Sequence, residues 1–198
     1  VSAQRLGDPI GPHSQSAKIE KSTTELYGRV NLLMNQFGHC DPFIRYKLFT
    51  SYCGDFYGSN LLNYDRPDIK KLFIAWRKCS RRVLGLHPQT HGRLLPHIGN
   101  DIPLEVKLHN KIYKFLYDSL NNENVLVRRC AHISLFNYPN SIIPTISVLC
   151  REYSVPRYEL ETGGSFQRLS WTPASNDICT GNSIREFIKM KNNTDDPN

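Results

Sequence analysis

Residues 68–84 can fold in few ways. Plotted at roughly 100° per residue, Ile69, Leu72, Phe73, Trp76, Cys79, Val83 and Leu84 fall within one arc of roughly 140°. Lys70, Lys71, Arg77, Lys78, Arg81 and Arg82 fill a second arc facing nearly the opposite way. A strand would mix the two sets on both faces, whereas a helix separates them. The segment therefore reads as a helix with one side docked on the protein and the other presenting six cations. Asp65-Arg66-Pro67 is expected to start it and Gly85-Leu86 to cap its end.

The same stretch carries the charge of the whole chain. Arg66, Lys70, Lys71, Arg77, Lys78, Arg81, Arg82 and Arg93 face a single acid, Asp68, between Arg66 and His97. Their balance of +7 equals the formal charge of all 198 residues, because acids and bases cancel before and after it. Like charges one turn apart repel, so an unrelieved row such as Lys71, Lys78 and Arg82 is expected to meet something negative. Phosphate is the leading candidate, with His91 and Arg93 extending the surface. Arg forks suit bidentate phosphate contacts. A solvated face relieved by acids elsewhere in the fold and an anionic membrane surface are the alternatives. The apolar arc looks needed for the core, which argues against the membrane. Nothing here reads base edges, so binding is expected to follow backbone and shape.

The rest of the chain reads as mainly α, with about six helices in an irregular bundle. Ile19, Thr23, Leu26, Val30, Leu33 and Phe37 form one stripe, which Gly38 is expected to close from C′. Asp41-Pro42 starts a helix carrying Ile44, Leu48, Phe49, Tyr52, Phe56 and Tyr57, weakened at Gly54 and Gly58. His87 to Asp101 reads as a loop. Asp101 and Pro103 open a helix with Leu104, Leu108, Ile112, Phe115 and Leu116 on one side. Residues 125–136 and 142–153 read as two more, and 183–191 as a short one. Leu6 to Ile10 is a candidate strand edge. Three segments follow: an extended 1–15, a helical domain at 16–155, and an irregular 156–198 with a polar tail.

Catalytic signals are weak. His87, His91 and His97 lack a nearby carboxylate or Cys to complete a metal set. Asp195-Asp196 lies in the polar tail, and Gly163-Gly164-Ser165 lacks the Gly-Lys-Ser/Thr ending of a phosphate loop. No catalytic residue, metal or cofactor is expected. The six cysteines are scattered with no CxxC and read as reduced, mostly buried thiols of an intracellular protein, nuclear or cytoplasmic. No secretory signal or membrane span is read, and the missing initiator Met reads as a fragment or processed product.

Several motifs carry a resemblance. In order they are Leu6-Gly7-Asp8-Pro9-Ile10; Lys47-Leu48-Phe49-Thr50-Ser51-Tyr52-Cys53; Phe56-Tyr57-Gly58-Ser59-Asn60-Leu61; Ala75-Trp76-Arg77-Lys78-Cys79-Ser80-Arg81-Arg82-Val83-Leu84-Gly85-Leu86; and Thr90-His91-Gly92-Arg93-Leu94-Leu95-Pro96. The order resembles the region after the reverse transcriptase domain in non-LTR (LINE-type) retrotransposon polyproteins, where the pattern reads K-x-x-L-F-x-S-Y-C, F-Y-G-S-x-L, W-R-K-x-x-R-x-x-x-G-L and T-H-x-x-L-L-P. The resemblance implies a helical thumb at 16–155, the end of a polymerase palm at 1–15, and contact with the RNA–DNA or DNA duplex backbone. It implies the parent's palm and fingers as partners and RNA-directed DNA polymerase as the parent's activity. The family's F/Y-A-D-D motif, its other palm Asp, its endonuclease and the zinc knuckle of some relatives are not in this sequence. The competing expectations are a helical interaction module that takes an acidic protein on the same face, or a decayed, non-functional remnant.

Overall fold

The computed structural model describes residues 3–5, 8–10, 14–56, 58–59, 62–136, 143–154, 169–170 and 175–194. The chain is mainly helical. Among these residues lie one hairpin, β1 (Ala3–Arg5) against β2 (Asp8–Ile10), and eight helices: α1 (Ser14–Phe37), α2 (Pro42–Cys53), α3 (Ile69–Val83), α4 (Leu95–Gly99), α5 (Leu104–Leu120), α6 (Val125–Phe136), α7 (Ile143–Tyr153) and α8 (Ser175–Thr194). They group into two compact units that interleave along the sequence.

The first unit comprises Val1–Ile19, Tyr57–Lys70 and Glu105–Ser170. In its hairpin Ala3 pairs with Ile10, Gln4 with Pro9 and Arg5 with Asp8; Leu6 and Gly7, part of the expected strand edge, lie outside the described residues. The core of this unit forms around α5, which buries Leu108, Ile112 and Leu116 at helical spacing. Two amides tie distant segments to it. The Gln15 side chain donates to the Asn63 carbonyl at 2.8 Å and accepts from its N–H at 2.9 Å. Asn110 does the same with Leu169, at 3.3 and 2.8 Å. Such paired bonds satisfy loop backbone that would otherwise lose its hydration on burial.

His109 is buried in this unit, its ring edge-on to Tyr64 and Tyr153 with centroids 5.1 and 5.5 Å away. Its Nδ1 lies 2.8 Å from the Tyr153 hydroxyl. Burial holds the imidazole down at about 4, well below its usual range.

The second unit comprises Glu20–Phe56, Lys71–Leu104 and Trp171–Asn198. Leu26, Val30 and Leu33 of α1 are buried, as their spacing predicts, together with Tyr46, Phe49 and Cys53 of α2. Asp41 caps α2 as expected, accepting the N–H groups of Phe43 at 2.7 Å and Ile44 at 3.2 Å, with Pro42 in the first turn. Short α4 packs on α8. There Gly181 lies so close to His97 that a Cβ would collide with that side chain.

The structure departs from the sequence expectations at several points. Of the apolar residues expected on α2, Phe49 is buried but Ile44, Leu48 and Tyr52 face solvent, and the helix stops at Cys53, short of buried Phe56. The inward row is Tyr46, Phe49 and Cys53, because the Phe49 ring stacks on Trp76. Gly38 does not adopt the left-handed conformation; the Arg45 guanidinium donates to its carbonyl instead. Asp65–Asp68 form turns, and α3 proper starts at Ile69. The expected loop from His87 to Asp101 contains α4, whose end is capped by Asn100 in the left-handed region at φ 50°. The short helix expected at 183–191 is the twenty-residue α8. The cysteines are all free, but only Cys53 and Cys79 are buried, while Cys130 and Cys179 are exposed. Gly163-Gly164-Ser165 and Asp195-Asp196 lie outside the described residues.

Candidate nucleic-acid interface

Helix α3 has the two faces its sequence demands. Leu72, Phe73, Trp76, Cys79 and Val83 are all buried. Trp76 is 6% exposed; its ring lies 4.3 Å from that of Phe49 and 6.0 Å, edge-on, from that of Phe56. These contacts lock the indole side and fix the helix's rotation, so the opposite residues must point outward.

On that side Lys71, Lys78 and Arg82 are exposed, while Arg77 and Arg81 are half-buried. Lys70, also exposed, lies in the first turn of α3, at the end of the first unit. From Lys71 to Arg82 the ridge is about 16 Å long at 1.5 Å per residue. No described carboxylate pairs with Lys70, Lys71, Lys78, Arg81 or Arg82, and the stretch's one acid, Asp68, is bound to Arg66 at 3.4 Å. Two of the ridge's arginines rest on neutral acceptors. Arg82 donates to the Asn31 side chain at 2.5 Å, and Arg81 Nε donates to the Thr90 carbonyl at 2.7 Å.

The helix ends in the expected cap. Gly85, at φ 67°, sends its N–H to the Arg82 carbonyl at 3.2 Å, and the Leu86 N–H reaches the Arg81 carbonyl at 2.8 Å. This pair of hydrogen bonds reverses the chain and leads 87–94 back along the arginines. Gly92 touches them: a Cβ there would lie 2.8 Å from Arg77 Cδ and 3.8 Å from an Arg81 terminal nitrogen. A side chain at this position would have to push the Arg77 arm aside. Thr90 and Gly92, which flank His91, thus lie against Arg81 and Arg77, and the same loop carries His91 and Arg93. Both are exposed, and the Arg93 N–H donates to His91 Nδ1 at 3.3 Å.

Electrostatics mark this spot. Burial, and next the neighbouring Arg77 cation, lower the pKa of Arg81. Two guanidinium groups are held near each other while partly desolvated, an arrangement that an incoming anion would relieve. The forks can chelate phosphate oxygens; they offer no nucleophile and no general acid or base. His87 Nδ1 accepts the Gln89 N–H at 3.3 Å. Among the described residues no group of three or more His, Cys, Asp or Glu is placed to hold a metal ion, and no helix is long and apolar enough to cross a membrane.

The structure brings Arg77, Lys78, Arg81, Arg82 and Lys71 onto one ridge, with His91 and Arg93 on the loop that lies against it. Sequence reasoning missed the supports, namely Asn31, the Thr90 carbonyl and the close approach of Gly92. A glycine between His91 and Arg93 was the available hint; nothing in the sequence singles out Asn31. No family model, no curated protein and no solved structure matches the chain.

Proposed function

We propose that this chain is the thumb and post-thumb portion of a LINE-type reverse transcriptase. On this reading it grips the backbone of an RNA–DNA or DNA duplex without strong sequence preference, working beside the parent's palm and fingers inside the cell, in nucleus or cytoplasm. Lys71, Arg77, Lys78, Arg81 and Arg82 make the phosphate contacts, with Lys70, His91 and Arg93 secondary. Trp76, Phe73 and Leu72 hold the helix from beneath, and catalysis belongs to parts not in this sequence. One observation carries the reading: a ridge of cations on α3 in which no described carboxylate pairs with Lys71, Lys78, Arg81 or Arg82, backed by a sealed apolar side. The order of motifs around Trp76 and His91 supports the parentage.

The test compares fluorescence anisotropy of three labelled duplexes of unrelated sequence. The wild type should bind all three with similar affinity. A variant with Arg77, Lys78, Arg81 and Arg82 all changed to Ser should lose affinity for all three alike. Equal affinities of wild type and variant would reject the assignment. A loss confined to one sequence would reject backbone recognition.

A further inference from the structure

Helix α6, in the first unit, is unusual for its composition. Five of its first seven residues are Val125, Leu126, Val127, Cys130 and Ala131, yet every residue from Asn121 to Cys130 is exposed. Leu126 is 71% exposed and Ile133 48%. With Cys130 they stand at i, i+4 and i+7, one file along the helix about 10 Å long. Large apolar side chains left in water in register mark a contact surface more often than chance placement does.

Charge narrows the occupant. α6 contains no acidic residue, and no described carboxylate pairs with Arg128 or Arg129. Arg129 borders the file, three residues after Leu126 and four before Ile133. A second copy is a poor fit: the cations sit near the middle of α6, so two-fold pairing through the file sets Arg129 against its own copy. A lipid surface also fits poorly. Val125 and Val127 are exposed too, but Arg129 stands inside the apolar side, between Val125 and Leu126 around the helix, whereas a membrane-lying helix keeps its cations on the opposite, polar side.

We infer that α6 is the docking face for an acidic amphipathic helix of another protein. Its apolar stripe packs on Leu126, Cys130 and Ile133, and its carboxylates meet Arg128 and Arg129. α6 belongs to the first unit, and the α3 ridge from Lys71 onward to the second.

Cys130, in the middle of the file, reports occupancy directly. The full chain is treated with iodoacetamide, and alkylation is followed by peptide mass spectrometry, with exposed Cys179 as the internal control. The probe is a synthetic amphipathic peptide with Leu at helical spacing and Glu elsewhere; its counterpart carries Lys in place of Glu. The acidic peptide should slow alkylation at Cys130 several-fold and leave Cys179 unchanged. Leu126→Ser with Ile133→Ser should abolish the protection, as should Arg128→Glu with Arg129→Glu; these side chains are exposed, so the fold persists. The variant with four Ser on α3 should keep it, which separates this face from the duplex-binding reading. The inference is overturned if the acidic peptide protects neither cysteine or both alike, or if the Lys peptide protects Cys130 equally. It is also overturned if protection follows protein concentration without peptide, appears only with vesicles of phosphatidylcholine and phosphatidylserine, or disappears in the α3 variant.

Discussion

Replacing Trp76 by Ala removes the side chain on which the orientation of α3 rests. The indole is 6% exposed and is wedged between the rings of Phe49 and Phe56. An aromatic of this size buries about 150–250 Å², which at about 25 cal/mol per Å² is roughly 4–6 kcal/mol of transfer free energy as an upper bound. Measured truncations of buried Phe and Trp cluster at about 3–5 kcal/mol once the cavity partly relaxes, and that is the loss expected here. Ile74, on the same helix but 46% exposed, supplies the control. Ile74→Ala should cost about 1 kcal/mol or less, because only half its side chain leaves water. Urea unfolding followed by far-UV circular dichroism reads both, since the signal does not need the indole. A double-mutant cycle with Phe49→Ala should return a coupling of about 0.5–1.5 kcal/mol for the stacked pair. Equal losses for Trp76→Ala and Ile74→Ala would mean that the indole side does not dock, and the outward aim of the cations would lose its physical cause.

Three further outcomes follow from single residues. His109 is held neutral by burial, with a folded value near 4 against an unfolded one of about 6.5. The unfolded chain therefore takes up a proton first as pH falls. Its stabilising contribution is fully present above about 6.5 and is lost on descent toward 4, by a few kcal/mol in all. Urea midpoints from pH 7.5 to 4 should fall, and His109→Gln should flatten that slope. Gly85→Ala places a side chain at φ 67° with nothing within 4 Å of its Cβ, so its penalty is purely conformational, about 1 kcal/mol in a thermal melt. Gly92→Ala pushes a methyl group into Arg77 and should weaken duplex binding while leaving the unfolding midpoint nearly unchanged; a matching stability loss would show that the loop supports the fold instead.

Helix α3 was legible because its pattern satisfies only one period: cations and apolar residues separate at helical spacing and at no other. Its cap was legible because the glycine and leucine after Leu84 have few other uses there. The face of α2 was not legible, since Ile44-Leu48-Tyr52 and Tyr46-Phe49-Cys53 are both apolar rows. The choice between them is made by Trp76, a residue of another helix. Helix α4 was hidden for a related reason. Pro96 and the glycines around it read as a breaker-rich loop, yet proline is tolerated in a first turn, and the last turn rests on Tyr46 packing against Gly99. The cations could be listed from the sequence, but what holds them could not. Arg82 on Asn31 and Arg81 on Thr90 are contacts that only the folded chain creates.

The salt dependence of duplex affinity measures directly whether the α3 ridge replaces counterions on a phosphate backbone. Five contacts, from Lys71, Arg77, Lys78, Arg81 and Arg82, give a slope of log affinity against log salt of about −4.5, so affinity drops roughly 500-fold between 50 and 200 mM salt. With the last four changed to Ser, the slope should shrink to about −0.9 and the drop to roughly 3.5-fold. If the two proteins give parallel lines, the ridge does not meet the duplex and the account is wrong.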